Sequence, residues 1–192
     1  MLLAELCTRW TVRLALLGYF AGALGNTGNR SPRRQRWARL AWTLGCLCYL
    51  AHVACAFHFY HGWSHAAAYR HTAERTAAVA GWSWGGGVYF NYVFTAVWLA
   101  DTLWWWRTSS VGNALCGVPK RCQRELHGTP QRAFPTDPSR RDWLHLAVQL
   151  FMAFMVFNAT VVFGQGFVRW FGVTGCTLLA LHWLSPRGRA AW

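Results

Sequence analysis

The stretch LAWTLGCLCYLAHVACAFHFY, residues 40–60, decides the fold class of this chain. It contains no Asp, Glu, Lys or Arg, and the histidine near its middle is His52. About 20 apolar residues in a helix cross the ~30 Å hydrocarbon layer of a bilayer. Because lipid offers the backbone no hydrogen-bond partners, an open segment crosses it only as a helix. We therefore predict a transmembrane helix here.

Four other apolar segments have a similar composition, at 10–24, 86–106, 143–163 and 167–184. The first is the shortest and is interrupted by Arg13, so a cleaved signal or an interfacial segment is the alternative for it. That alternative leaves four spans. We predict an all-α, polytopic integral membrane helical bundle, one domain over residues 1–192, with about five transmembrane helices.

The positions of the charges orient this bundle. The chain is 54% hydrophobic and only 13% charged, yet its formal net charge is +13. Most basic side chains fall in alternate connections, namely Arg30, Arg33, Arg34, Arg36, Arg39, Arg107, Lys120, Arg121, Arg124, Arg132, Arg140, Arg141, Arg187 and Arg189. The positive-inside rule makes those connections cytoplasmic, so five spans place the N-terminus outside and the C-terminus in the cytoplasm. We predict a multi-pass protein of the cytoplasmic membrane.

The same placement argues against a nucleic-acid partner, because the arginines flank apolar spans and are not interleaved with aromatics in a soluble module. The lipid bilayer is the partner that the pattern predicts. Most of the 14 tryptophans lie near predicted span ends, which is typical of the aromatic belts at membrane interfaces.

Two connections are long enough to carry structure of their own. Residues 61–85 are rich in alanine, and Ser64 can cap a helix, so we predict a short extracytoplasmic surface helix over about 64–80. The cytoplasmic loop 107–142 is basic and contains prolines, which indicates irregular structure. Residues 164–166 are short enough to make the last two spans antiparallel neighbours.

A histidine-rich stretch at the predicted outer face is the first candidate site. His58, His61 and His65 follow the spacing i, i+3 and i+7 of one helical face. We predict a metal or redox site here, with His71 and Glu74 as further ligands. Its ligands are His58, His61, His65, His71 and Glu74. Asn91, from the third span, is a supporting group. Imidazole and carboxylate suit zinc, copper or iron. The alternative is that these histidines solvate the end of a helix.

The spacing from His61 to His65 is similar to one histidine box of the membrane desaturases and hydroxylases. Those families carry several boxes, on the cytoplasmic side, whereas this chain has one box, which its charges place outside. The resemblance is therefore limited to that single box and assigns no reaction.

Polar side chains inside the predicted spans form two further groups. His52 shares a helical stripe with Cys48 and Cys55, and an ionisable residue at that depth is either functional or bonded to a neighbouring helix. Asp101, His145 and His182 lie within about two turns of the cytoplasmic ends of their spans. Their common depth would allow a proton relay, or ligation of haem b by the two histidines between spans four and five. The alternative is structural pairing and snorkelling.

These patterns leave several classes of function open. The first is a membrane protein with the metal or redox site described above. The second is a non-catalytic subunit or scaffold that packs against partner membrane proteins or a second copy of itself. The third class is proton or small-solute transport through His52 and Asp101, which the pattern favours less because few polar residues line any one path. The sequence assigns no catalytic residue and does not decide whether the protein is an enzyme.

Overall fold

The computed structural model describes residues 2–25, 31–115 and 138–185, and it contains no strand within those ranges. The predicted all-α class is confirmed for this part of the chain. The six helices are α1 (Leu2–Gly25), α2 (Pro32–Ala56), α3 (His65–Ala80), α4 (Gly87–Leu115), α5 (Pro138–Phe157) and α6 (Phe167–Leu184). Two of them continue as a π-helical turn, α2 over Phe57–His61 and α5 over Asn158–Val162.

The five long helices form a closed ring in the order α1, α2, α4, α5, α6, in which α6 returns to α1. Their shared interior is apolar and aromatic, and its buried members include Leu16, Tyr19, Phe20, Trp42, Cys46, Phe94, Trp98, Met152, Val156 and Leu179. The short helix α3 packs on α4 and on the π-helical turn of α2, at the end of the ring where α2 ends and α4 begins. We call this the α3 end of the bundle.

An aromatic triad fills the centre of the ring. The ring centroids of Tyr19, Trp42 and Trp98 lie 5.3, 5.5 and 5.7 Å apart, with one residue contributed by each of α1, α2 and α4. All three side chains are buried. Large aromatic groups in such contact contribute much of the packing energy of a core.

The tightest contact of the bundle joins α1 to α2 through glycine. A Cβ atom built on Gly18 would lie 2.5 Å from the Cα atom of Gly45, so the two backbones approach as closely as they do only because neither residue has a side chain. Small residues are the usual means by which membrane helices pack this closely. Gly18 and Gly22 are four residues apart on α1, and this Gly-x-x-x-Gly spacing is the sequence signal for the contact.

Within the described ranges, two helices are long and apolar enough to cross a membrane, Pro32–His61 and Phe167–Leu184, and a shorter apolar helix covers Leu146–Val162. Helix α1 carries Arg9 and Arg13, and α4 carries Asp101 with many Trp and Tyr side chains, which lower the mean hydropathy of both helices. The number of spans, five, therefore stays a prediction, as does the orientation.

Several helix bounds differ from those predicted. Helix α1 begins at Leu2, and α4 continues past residue 106 to Leu115. A helix satisfies its own backbone hydrogen bonds in water as well as in lipid, so it need not stop where a hydrophobic span stops. The predicted irregular loop 107–142 is thus helical at both edges, and its central part, 116–137, lies outside the described residues.

Candidate functional site

The candidate site is built where the chain turns from α2 into α3. The π-helical turn Phe57–His61 is followed by Gly62 and Trp63, which have φ angles of 54° and 60°. Two successive left-handed residues reverse the chain, and this conformation is uncommon for a residue as large as tryptophan. Ser64 then caps α3, since its Oγ atom accepts a hydrogen bond from the backbone N–H of Ala67 at 3.3 Å. The reversal folds α3 back over the end of α2.

This turn changes the predicted relation among the histidines. The spacing of His58, His61 and His65 predicted one continuous helical face, and that prediction was wrong. The first two residues lie in the π-helical turn of α2, whereas His65 is the first residue of α3. A glycine in the left-handed region ends a helix, so no single face can extend from His58 to His65.

The fold instead brings His61 together with His71. Their ring centroids lie 5.4 Å apart with an angle of 59° between the ring planes. An imidazole bound to a metal through a nitrogen at ~2 Å has its ring centre about 3 Å from the ion, so two rings around one tetrahedral ion lie about 5 Å apart. The spacing of this pair therefore fits one shared metal ion.

The electrostatics of the pair favour the uncharged imidazole. His61 is the last residue of the α2 turn, one residue beyond the predicted span 40–60. Partial burial lowers the pKa of His61 below its ordinary value, and the charge of the neighbouring His71 lowers it further. Neutral imidazole is the form that binds a metal ion, because the bond uses the lone pair that a proton would occupy.

His65 takes part in a different set of contacts, with two tyrosines of α4. Its Nδ1 atom lies 2.9 Å from the hydroxyl of Tyr92, and its Nε2 atom lies 3.4 Å from the hydroxyl of Tyr89. One nitrogen donates and the other accepts, according to the tautomer. His65 thus attaches the start of α3 to α4. The two tyrosines were missed in the sequence, where their spacing of three residues on a predicted helix is the available signal.

The other predicted ligands lie around the pair without joining it. His58 is exposed and packs against the ring of Phe59 at 4.8 Å, Glu74 is exposed on α3, and Asn91 is exposed on α4. Within the residues that the structure describes, no three His, Cys, Asp or Glu side chains form a group that could hold a metal ion. The full ligand set stays a prediction, and only its His61–His71 pair is assembled.

His52 links two helices of the ring. Its Nδ1 atom lies 3.0 Å from the carbonyl oxygen of Thr8 on α1, to which a protonated Nδ1 donates, and 3.5 Å from the hydroxyl of Thr11. Its stripe partners Cys48 and Cys55 are free, half-buried thiols. These contacts match the structural alternative, in which this histidine bonds a neighbouring helix.

The third predicted group lies at the other end of the bundle. Asp101 is half-buried on α4, and His182 is half-buried on α6. The Nε2 atom of His182 is buried and has no hydrogen-bond partner among the described residues. The side chain of His145 lies outside the described part of the structure, so the predicted haem b pair and the proton relay stay predictions.

Arginine side chains fix the hairpin between α5 and α6 at the α3 end. Arg169 lies in the first turn of α6, near one end of the predicted span 167–184, and its Nε atom donates to the carbonyl oxygen of Val161 at 2.9 Å. Arg75 of α3 approaches the carbonyl oxygen of Phe163 at 3.5 Å. The last carbonyls of a helix lack partners within the helix and carry partial negative charge, so cations stabilise them.

No protein-family profile, curated protein or solved structure matches this chain.

Proposed function

We propose that this chain is a five-span protein of the cytoplasmic membrane that binds a transition-metal ion between His61 and His71, at an extracytoplasmic face formed by the α3 end. The observation that carries the proposal is the 5.4 Å spacing of these two rings, which come from separate helical elements. Two imidazoles brought together by a chain reversal are a more specific arrangement than histidines that follow one another along a helix.

Two other predicted ligands lie close enough in sequence to His61 and His71 to serve as further ligands of the same ion. His58 precedes His61 by three residues, and Glu74 follows His71 by three residues on α3. Residues three apart on an α-helix are neighbours on its surface, so Glu74 lies beside His71. Both side chains are exposed and therefore have room to rotate toward an ion held by the pair. Imidazole and carboxylate donors suit zinc, copper and iron, and the last two would also support electron transfer.

The membrane assignment is supported by the two helices that meet the length and composition criteria and by the ring in which they pack. Arg33, Arg34 and Arg36 lie exposed in the first turns of α2, at the end of the bundle opposite to α3. The positive-inside rule then favours a cytoplasmic location for that end and an outer location for the α3 end.

Metal analysis of the purified chain tests the site. After loading with copper or zinc and removal of free metal, we expect one ion per chain, and we expect His61→Ala and His71→Ala each to lose it. His65→Gln is the matched control, because glutamine can still bond the tyrosines and His65 is outside the pair. Absence of stoichiometric copper, zinc or iron in the unaltered chain would overturn the proposal, and equal loss in the control would overturn the choice of ligands.

A reporter fused after Tyr69 tests the orientation separately. A periplasmic signal is expected, whereas a cytoplasmic signal would reverse the assignment of the two faces. The metal measurement does not depend on this outcome.

A further inference from the structure

An arginine held against a tryptophan marks the end of the bundle opposite to the proposed metal site. The guanidinium carbon of Arg39, on α2, lies 4.6 Å from the ring centroid of Trp106, on α4. Within this range, the cation is attracted to the face of the indole ring. Stacking uses the face of the guanidinium and leaves the N–H groups at its edge available for an acceptor.

Hydrogen bonds hold the tryptophan of this contact in place. The Nε1 atom of Trp106 donates to the hydroxyl of Thr43 at 3.0 Å, and that hydroxyl donates to the carbonyl oxygen of Arg39 at 2.8 Å. The indole ring is therefore anchored to the helix that carries the arginine. Because its guanidinium packs on this anchored ring, Arg39 loses less conformational freedom on binding a ligand than an arginine without such a contact does.

The positive charge near Arg39 favours binding of an anion. Arg36 lies three residues earlier on the same side of α2 and is exposed. Helix α2 itself contains no Asp or Glu, and the acid of α4 closest in sequence to Trp106 is Asp101, five residues earlier. Among the described residues, no carboxylate forms an ion pair with Arg39, whose guanidinium contact is with Trp106. A planar fork of N–H donors matches the oxygens of a phosphate group.

The apolar surface beside this cation indicates a lipid as the source of the phosphate. Leu40 and Leu44 follow Arg39 along α2 and are 42% and 60% exposed, and Leu103 on α4 is 53% exposed. Leu103 lies three residues before Trp106 and so on the same side of α4, while Leu40 and Leu44 form an exposed apolar stripe of α2 that extends from the level of Arg39 toward the middle of the bundle, where acyl chains would lie. A free phosphate ion would use only the arginine, whereas a phospholipid would contact both surfaces.

We propose that Arg39, stacked on Trp106 and assisted by Arg36, binds the phosphodiester of an anionic phospholipid whose acyl chains lie along Leu40, Leu44 and Leu103. This site lies at the other end of the bundle from His61 and His71 and does not depend on metal binding. It requires only the membrane location of the chain.

The test measures lipid binding to the full chain purified in a neutral detergent, by native mass spectrometry and by the midpoint of thermal unfolding. Phosphatidylglycerol should remain bound and raise the midpoint more than phosphatidylcholine does. Arg39→Gln should weaken phosphatidylglycerol binding about tenfold to a hundredfold, as expected for loss of hydrogen bonds to a charged group. Arg33→Gln is the matched control: it removes the same charge from an exposed position on the same helix, and binding should change less than threefold.

Each remaining outcome decides the proposal. Equal weakening by Arg33→Gln and Arg39→Gln would show diffuse attraction and overturn a defined site. Equal protection by inorganic phosphate would overturn the choice of a lipid. If Arg39→Gln does not fold, Trp106→Leu, which retains every charge but removes the stacking ring, serves instead. Undiminished phosphatidylglycerol binding by that variant would refute the site.

Discussion

Replacement of Gly18 by alanine tests the closest approach in the bundle. The added Cβ atom would lie 2.5 Å from the Cα atom of Gly45 and 2.7 Å from the carbonyl oxygen of Ala41. Both are backbone atoms, so no side-chain rotation can relieve the overlap. Nonbonded carbon atoms prefer about 3.5–4.0 Å, and α1 must therefore move away from α2 by about 1 Å.

Two opposing effects determine the size of the loss. Overpacking of this kind costs about 1–3 kcal/mol. Alanine in place of glycine in a helix recovers about 1 kcal/mol through its higher helix propensity. Because the overlap is with backbone, we expect the clash to prevail and the free energy of unfolding to fall by up to about 2 kcal/mol.

Unfolding of purified variants in mixed micelles with increasing denaturing detergent, followed by tryptophan fluorescence, measures this loss. Two other glycines serve as graded controls. A Cβ atom on Gly45 would lie 3.0 Å from the Gly18 carbonyl carbon, whereas a Cβ atom on Gly87 would meet only the Thr72 methyl group at 3.1 Å. We expect the alanine variants at 18, 45 and 87 to lose stability in that order. A Gly18→Ala protein about 1 kcal/mol more stable than the unaltered chain, the gain due to propensity alone, would refute the close approach.

Three further results are expected at the α3 end. His71→Ala should raise the pKa of His61, measured by NMR titration of the imidazole, because it removes the neighbouring charge but leaves the burial. In the unaltered chain His61 binds a proton less readily when folded than when unfolded, so stability should fall as pH drops through about 6.5, and this fall should be smaller in His71→Ala. Tyr92→Phe removes the 2.9 Å contact to His65 and should lower the stability of α3 by about 0.5–1.5 kcal/mol, measured as faster amide hydrogen exchange in α3. Tyr89→Phe removes the longer contact, at 3.4 Å, and should lower it less. Arg169→Gln should lower the thermal midpoint and speed exchange at the end of α5, since a helix end loses its cation; an unchanged midpoint and exchange rate would show that this bond contributes nothing.

The helices were predictable because each depends on a pattern within its own segment. Hydrophobic length indicated the five long helices, and Ser64 with the alanine-rich stretch indicated α3. The relation of one histidine to another was not predictable in this way. It depends on the π-helical turn and on the left-handed conformation of Gly62 and Trp63, and no periodicity of apolar residues reports either feature.

Contacts between distant segments were the least predictable. The meeting of His61 with His71 requires the chain reversal, and the pairing of His65 with Tyr92 requires α3 to lie on α4. Arg169 illustrates the same difficulty, because it falls within an apolar stretch but acts at the end of a different helix. Such partners are set by packing, which the spacing within a single segment does not encode.

The aromatic triad at the centre of the ring has a practical consequence for spectroscopy. Tyr19, Trp42 and Trp98 are chromophores held in fixed, asymmetric contact, and each belongs to a different helix. Such an arrangement gives a near-ultraviolet circular dichroism signal that vanishes when packing loosens, even if the helices persist. The protein thus contains its own optical reporter of assembly, which distinguishes an intact bundle from a set of separate helices in any detergent or lipid.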